Sequence, residues 1–277
     1  MKEIIEHIIS DLNGLYSPQE AEEIAYWIIE ETTGLTRTQF LTGGKVTKNI
    51  SNYKVILQRI QKKEPIQYIF GHTMWMGLDL RVTPATLIPR PETAELVEYI
   101  DTIVRAKDYP INHSQSIRVL DIGTGSGCIA IALKKRHPDW EVWGMDISKE
   151  ALVIAQENAD KNHADVQFIE GDIFSDEIRD FDMIISNPPY IMEHEKKEME
   201  NNVLDYEPST ALFVPDNDPL RFYRRIAEIK KAPVVVFEIN QKMGAAMCEL
   251  MAAHGYVDIQ LKQDSYGNDR LLIARLD

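Results

Sequence analysis

The chain has 277 residues, 44% hydrophobic and 27% charged. That is an ordinary globular composition, and it excludes a disordered tail, a collagen-like repeat and a coiled-coil rod. Thirty basic against 44 acidic residues leave a net charge of −14, so the chain lacks the basic footprint of a protein that grips nucleic acid by its phosphates.

The chain opens on Met1-Lys2-Glu3-Ile4-Ile5-Glu6-His7, acidic and periodic, unlike a signal peptide. No apolar run approaches the ~18 residues that span a bilayer, and a soluble, cytoplasmic protein is expected. Ile4, Ile5, Ile8, Ile9 and Leu12 recur at helical spacing. Ser17-Pro18-Gln19-Glu20 reads as a capping box with proline in the first turn, opening a helix that carries Ile24, Trp27, Ile28 and Ile29. Thr36-Arg37-Thr38-Gln39 is a weaker start signal. A further helix carries Val55, Ile56, Leu57 and Ile60 and stops before Pro65. Residues 1–65 therefore read as a small helical domain, without a motif of its own.

Residues 66–91 change character. Met74 to Val82 predicts a β-hairpin turning near Gly77. Leu87-Ile88-Pro89-Arg90-Pro91-Glu92-Thr93 is too proline-rich for a helix or an inner strand. It reads equally as a linker or as a rigid rim carrying one arginine and one glutamate. A helix resumes at Glu92 with Leu96, Val97 and Ile100 on one face, and residues 92–277 form the larger domain.

From residue 117 onward strands and helices alternate, which implies a parallel sheet covered on both faces. Strands are predicted at 117–122, 141–146, 166–170, 181–186, 234–239, 256–261 and 271–276, with helices between the first six and a hairpin joining the last two. Seven strands ending in a hairpin match a class I S-adenosylmethionine-dependent methyltransferase, an α/β fold with a Rossmann-like seven-stranded sheet. A dehydrogenase-type sheet would end on another crossover helix. The two cysteines, Cys128 and Cys248, sit apart in apolar stretches and read as small hydrophobes of a reducing compartment. They offer no zinc-type spacing and the seven histidines form no pair, so no metal is expected.

The first strand runs into Asp121-Ile122-Gly123-Thr124-Gly125-Ser126-Gly127. Glycines at a strand-to-helix turn permit positive φ and close backbone approach. The spacing is not that of a dinucleotide pyrophosphate loop. A carboxylate at Asp121 would repel pyrophosphate, but it suits the ammonium and sulfonium of S-adenosylmethionine. Asp146 ends the second strand, where it can accept ribose hydroxyls. Asp172 follows the third, where adenine is expected.

After the fourth strand comes Asn187-Pro188-Pro189-Tyr190. The Asn187 side-chain oxygen and the Pro188 carbonyl are acceptors that can hold both hydrogens of a planar –NH₂ group, and Tyr190 offers a flat face. An amide nitrogen is a poor nucleophile, and two fixed acceptors stabilise the charge that develops on it.

This tetrapeptide resembles the motif of amino-methyltransferases. Its flanks are Glu64-Pro65-Ile66-Gln67-Tyr68-Ile69-Phe70-Gly71, Leu87 through Thr93, Glu207-Pro208 with Ala211-Leu212, and Gly267-Asn268-Asp269-Arg270. These resemble the release-factor glutamine methyltransferase family from about residue 60 to the end. The resemblance implies methyl transfer from S-adenosylmethionine, yielding S-adenosylhomocysteine, to the amide nitrogen of the glutamine in the Gly-Gly-Gln loop of class-1 peptide chain release factors. It also implies cofactor contacts from Gly123, Thr124, Gly125, Ser126, Gly127, Asp146, Asp172, Ile173 and Asn187, with Asn187, Pro188, Pro189 and Tyr190 holding the glutamine. The helical domain would then dock the protein substrate. Two positions depart from the family pattern. Ala94 stands where a glutamate is usual, and Glu238-Ile239-Asn240-Gln241-Lys242-Met243-Gly244 differs from the usual stretch, so Asn240 and Met243 receive no site role. An adenine-N6 DNA or RNA methyltransferase is the alternative, disfavoured by the acidic balance. A non-catalytic cofactor-binding scaffold is disfavoured by the intact tetrapeptide. Neither nucleic acid nor membrane is expected as a partner.

Overall fold

The computed structural model describes residues 2–44, 52–106 and 116–276. The chain divides into two compact units, Met1–Gly71 and His72–Asp277.

The first unit holds helices α1 (Lys2–Leu12), α2 (Pro18–Thr33), α3 (Arg37–Leu41), α4 (Tyr53–Gln61) and α5 (Ile66–Phe70). The Ser17 hydroxyl accepts the Glu20 amide at 3.3 Å and the Glu20 carboxylate accepts the Ser17 amide at 2.9 Å, so the capping box forms in full. Thr36 and Gln39 repeat it at α3. Gly34, at φ +76°, ends α2 in the left-handed conformation that glycine tolerates best. Ile5, Ile8 and Leu12 of α1 pack with Ala25, Ile28 and Ile29 of α2 and with Leu57 and Ile60 of α4. Each large aliphatic buried this way contributes about 1.5–3 kcal/mol before entropy is counted. Helix α5 is a single turn after Pro65, whose carbonyl accepts the Tyr68 and Ile69 amides. It lies where the sequence suggests no helix, because one turn is too short to show a period.

The second unit begins with the hairpin β1 (His72–Trp75) and β2 (Leu78–Arg81). Met76 and Gly77 between them both have positive φ, the geometry of a type I′ turn. Helix α6 (Pro91–Ala106) buries Leu96, Val97 and Ile100 completely. Then follow β3 (Arg118–Ile122), α7 (Cys128–Arg136), β4 (Glu141–Asp146), α8 (Lys149–Lys161), β5 (Val166–Glu170), β6 (Met183–Ser186), β7 (Ile191–Met192), α9 (Asn201–Tyr206), β8 (Phe213–Val214), α10 (Arg221–Ile229), β9 (Val234–Glu238), α11 (Gly244–Ala253), β10 (Tyr256–Gln263) and β11 (Asp269–Leu276).

Seven of these strands form one sheet in the order β10-β11-β9-β6-β3-β4-β5, with β11 antiparallel to both its neighbours. This is the class I methyltransferase sheet, closed by a hairpin. The strands read as unbroken apolar runs because both faces are covered. Val119, Ile185, Val236 and Ile273 enter the core beneath α6 and α7, while Leu120, Ile184, Phe237 and Leu272 enter the core beneath α10 and α11.

The expectation of a helix between every pair of the first six strands fails at β5–β6. Residues 171–182 run as turns. The Asp172 carboxylate accepts the Phe174 amide at 2.9 Å and the Asp176 carboxylate accepts the Asp172 amide at 2.6 Å. Such side-chain acceptors compete with helical bonding. Both cysteines are free; Cys128 is buried but Cys248 is only half-buried. Among the described residues no helix is long and apolar enough to cross a membrane.

Candidate active site

A cavity of about 670 Å³ opens at the carboxyl ends of β3, β4, β5 and β6, the edge where open α/β sheets bind ligands. The loop after β3 forms its floor. Gly123, Gly125 and Gly127 all have positive φ, and the Gly123 and Thr124 amides donate to the Met145 carbonyl at 2.8 and 3.0 Å. The loop is thereby tied to the end of β4.

Asp146 lines the cavity. One carboxylate oxygen accepts the Gly125 amide and the other the Ser148 amide, each at 2.9 Å. A carboxylate has about four acceptor sites, so acceptor capacity remains beside these bonds. Burial raises its pKa, and the amides of Ser148 and Gly125 oppose that rise.

Asp121 lies one layer behind the loop. It is fully buried and does not line the cavity. The Thr124 hydroxyl donates to its Oδ2 at 2.7 Å, while Oδ1 has no partner among the described residues. Burial pushes its carboxyl up to about 7; the Thr124 hydrogen bond opposes this and the Asp146 charge adds to it.

Near Asp172, where adenine is expected, the cavity is lined by Asp172, Ile173 and Phe174 together with Ile147, whose apolar side chain is exposed. Opposite runs the proline-braced segment, with Leu87, Pro89, Arg90 and Thr93 on the cavity wall. As the rim reading expects, the segment borders the cavity, through Arg90 but not Glu92. It is pinned by Arg90, which donates to the almost fully buried Glu207 carboxylate at 2.6 Å. Trp75 adds a bond from its indole to the Arg90 carbonyl at 2.8 Å.

The cavity brings together Gly123, Thr124, Gly125, Ser126, Asp146, Asp172, Ile173, Asn187, Pro188 and Pro189. It does not include Asp121, Gly127 or Tyr190. Gly127 instead lets α7 approach α8: a Cβ there would lie 3.1 Å from Ile131 Cδ1 and 3.2 Å from Ala155 Cβ. Tyr190 lines a second, smaller cavity with Asn240, Lys242 and Arg270. Its hydroxyl donates to Glu238 at 3.0 Å.

Two residues that sequence reasoning passed over stand at the inner wall: Thr93 lines the cavity and Glu238 lies buried behind it. The Thr93 hydroxyl donates to Glu238 Oε2 at 2.7 Å, and Asn187 Nδ2 donates to the Thr93 oxygen at 3.3 Å. Glu238 is fully buried, and burial raises its pKa against the hydrogen bonds from Thr93 and Tyr190. It ends an apolar strand beside β6, which stops one residue before Asn187, as Phe237 pairs with Ser186. A carboxylate at a buried strand end, the signal that singled out Asp146, marks it in the sequence too. Asn240 is buried as well and donates to the Tyr190 carbonyl and to Glu195, bracing the backbone behind the tetrapeptide.

Whether these residues suit S-adenosylmethionine can be judged from their chemistry. Asp146 keeps acceptor capacity for ribose hydroxyls, and the apolar walls at Ile147 and Ile173 suit a base. The residues fit the cofactor.

Residues 107–206 match the family model of the methyltransferase small domain, and residues 3–71 match that of the PrmC N-terminal domain. The chain is 44% identical to the release factor glutamine methyltransferase of Bacteroides thetaiotaomicron across 99% of each chain. It is 40% identical to that of Flavobacterium psychrophilum across 95% of each, and 33% identical to that of Bacillus subtilis across 99% of this chain and 98% of the other. Among solved structures, the hMettl16 catalytic domain in complex with the MAT2A 3′UTR hairpin 6 aligns with a TM-score of 0.56 over 73% of this chain and 76% of that one. At 16% identity it shares the fold alone.

Proposed function

The chain belongs to the release factor glutamine methyltransferase family, and from that premise we propose that it methylates the side-chain amide nitrogen of the glutamine in the Gly-Gly-Gln loop of class-1 peptide chain release factors, with S-adenosylmethionine as methyl donor. The observation that carries this reading is that Asn187, Pro188 and Pro189 share one cavity with the glycine loop and Asp146.

The cofactor supplies an electrophilic methyl group on a sulfonium. Asp146 would hold its ribose, Asp172 and Ile173 its adenine end, and Gly123 through Ser126 its backbone-facing side. The Asn187 oxygen and the Pro188 carbonyl accept the two hydrogens of the glutamine –NH₂ and so fix where its nitrogen points. Because that nitrogen's lone pair is delocalised, reactivity depends on orientation and on stabilising the positive charge that grows in the transition state. Two prolines hold the acceptors in place before substrate arrives. The methylated nitrogen then sheds a proton readily, and a strong base is not required. Tyr190 acts from behind through Glu238. The helical unit is assigned to docking of the protein substrate.

The test is a labelling experiment. Wild-type enzyme with methyl-labelled S-adenosylmethionine is given an intact release factor, the same factor with glutamate in place of the loop glutamine, or plasmid DNA. Label is expected on the first alone, and Asn187→Ala should lower kcat far more than cofactor affinity. Label on DNA, or an unlabelled release factor, overturns the reading.

A further inference from the structure

We propose that Thr93 and Glu238 are positioning residues that fix which way round the Asn187 amide faces, and thereby make the site select –NH₂ over a carboxylate; this rests on Asn187 being the substrate acceptor.

The argument is an accounting of protons. Glu238 is buried and acts as an acceptor on both oxygens. Its two oxygens accept the Thr93 hydroxyl at 2.7 Å and the Tyr190 hydroxyl at 3.0 Å. Thr93 carries a single hydroxyl proton, and Glu238 takes it. Toward Asn187, 3.3 Å away, the Thr93 oxygen can therefore only accept. It pairs with Nδ2 and repels Oδ1. An asparagine amide is nearly symmetric in shape, so shape alone does not decide its orientation. Here the hydrogen-bond chain from Glu238 decides it, and Oδ1 is left as the free acceptor. With the amide reversed, an –NH₂ would face the cavity, and the site would welcome a carboxylate or a carbonyl oxygen in place of the substrate nitrogen. Thr93 is almost fully buried.

Neither residue needs to touch the transferred methyl group. Thr93 comes from the first turn of α6 and Glu238 from the last residue of β9, so two elements distant in sequence meet behind the tetrapeptide.

The experiment compares wild type, Thr93→Val, Thr93→Ala and Thr93→Ser. It measures kcat, KM for both substrates, and inhibition by the release factor carrying glutamate at the target position. In parallel, solvent-exchange protection of the Asn187 side-chain –NH₂ is read by NMR on cofactor-free, asparagine-labelled enzyme. Thr93→Val is expected to lower kcat by roughly ten- to a hundred-fold through lost orientation, with KM for the cofactor within about two-fold. Inhibition by the glutamate factor should tighten by roughly ten-fold, because a released amide can turn its –NH₂ outward. The Asn187 –NH₂ should lose protection, and Thr93→Ser should restore all three readouts. Thr93→Ala must reproduce the valine result, and it replaces that variant where valine does not fold. Wild-type kcat and unchanged discrimination in either variant overturn the proposal. So does a fall in kcat with the Asn187 signal and glutamate inhibition unmoved, since that marks a merely structural role. If wild type leaves the glutamine unmethylated, the functional reading fails, while the NMR comparison still decides the hydrogen-bond chain.

Discussion

Asp121 shows how one side chain couples the site to the stability of the fold. It sits beneath the glycine loop, fully buried, with one oxygen held by Thr124 and the other without a partner among the described residues. Its carboxyl is pushed from 3.8 up to about 7. Between those values the native state holds a proton that the unfolded chain has released. The unfolded state thus binds fewer protons, and stability falls as pH rises through the window. Across about three pH units, at about 1.4 kcal/mol each, the loss is on the order of 4 kcal/mol. Asp121→Asn removes the ionisation, so its unfolding free energy should gain on wild type between pH 5 and pH 8. Urea unfolding at both values checks this, and parallel behaviour of the two proteins would sink it. From sequence alone Asp121 reads as a residue facing the ligand, since spacing gives its strand and position but not its depth. The same blindness hid Thr93, and it hid the partners of Glu238, though not the strand-end position that marks it. Their importance lies in contacts between residues far apart in the chain, which no local pattern encodes.

At the scale of elements, legibility follows burial. Strands β3, β6 and β9 were plain because both faces are covered and their sequences are continuously apolar. Helix α2 was plain because its capping box is local chemistry. Helix α5 and the two-residue strands β7 and β8 were not, as none is long enough to show a period. The β5–β6 connection misled because its length suits a helix, while Asp172 and Asp176 spend their side chains on the loop backbone. The glycine loop was read for its freedom of φ. Gly127 carries a second demand that only packing reveals, since α7 meets α8 there with room for a hydrogen but not for a methyl group. Gly127→Ala meets both constraints together, a φ of +81° and a Cβ 3.1–3.3 Å from Ile131 and Ala155. It should cost about 1–3 kcal/mol in chemical denaturation. It should also weaken S-adenosylmethionine binding, because the loop that faces the cavity ends at this residue. A variant as stable as wild type would show that α7 and α8 can shift freely.

For the whole molecule, the relevant facts are two separate cores and a surplus of negative charge. The apolar cluster of residues 1–71 is built from its own helices, and the two clusters that clamp the sheet draw only on the second unit. All the cavity residues likewise belong to the second unit. A chain with net charge −14 gains association rate with a partner that presents basic surface, and salt should slow that encounter. The site asks only for a glutamine amide, a group too common to specify a substrate. Selectivity for one loop of one protein must therefore come from surface beyond the cavity, and this is the role proposed for the helical unit. Removing residues 1–71 leaves both sheet-side clusters with all their members. The shortened enzyme should methylate a short Gly-Gly-Gln peptide at nearly the wild-type rate. On an intact release factor its KM should rise by roughly ten-fold or more, the loss of about 1.4 kcal/mol of binding, and raising the salt should affect it less than wild type. Steady-state kinetics on both substrates at two ionic strengths separates the cases. An equal fall on peptide and protein would mean that the helical unit only supports the fold, and that substrate choice is made within the second unit.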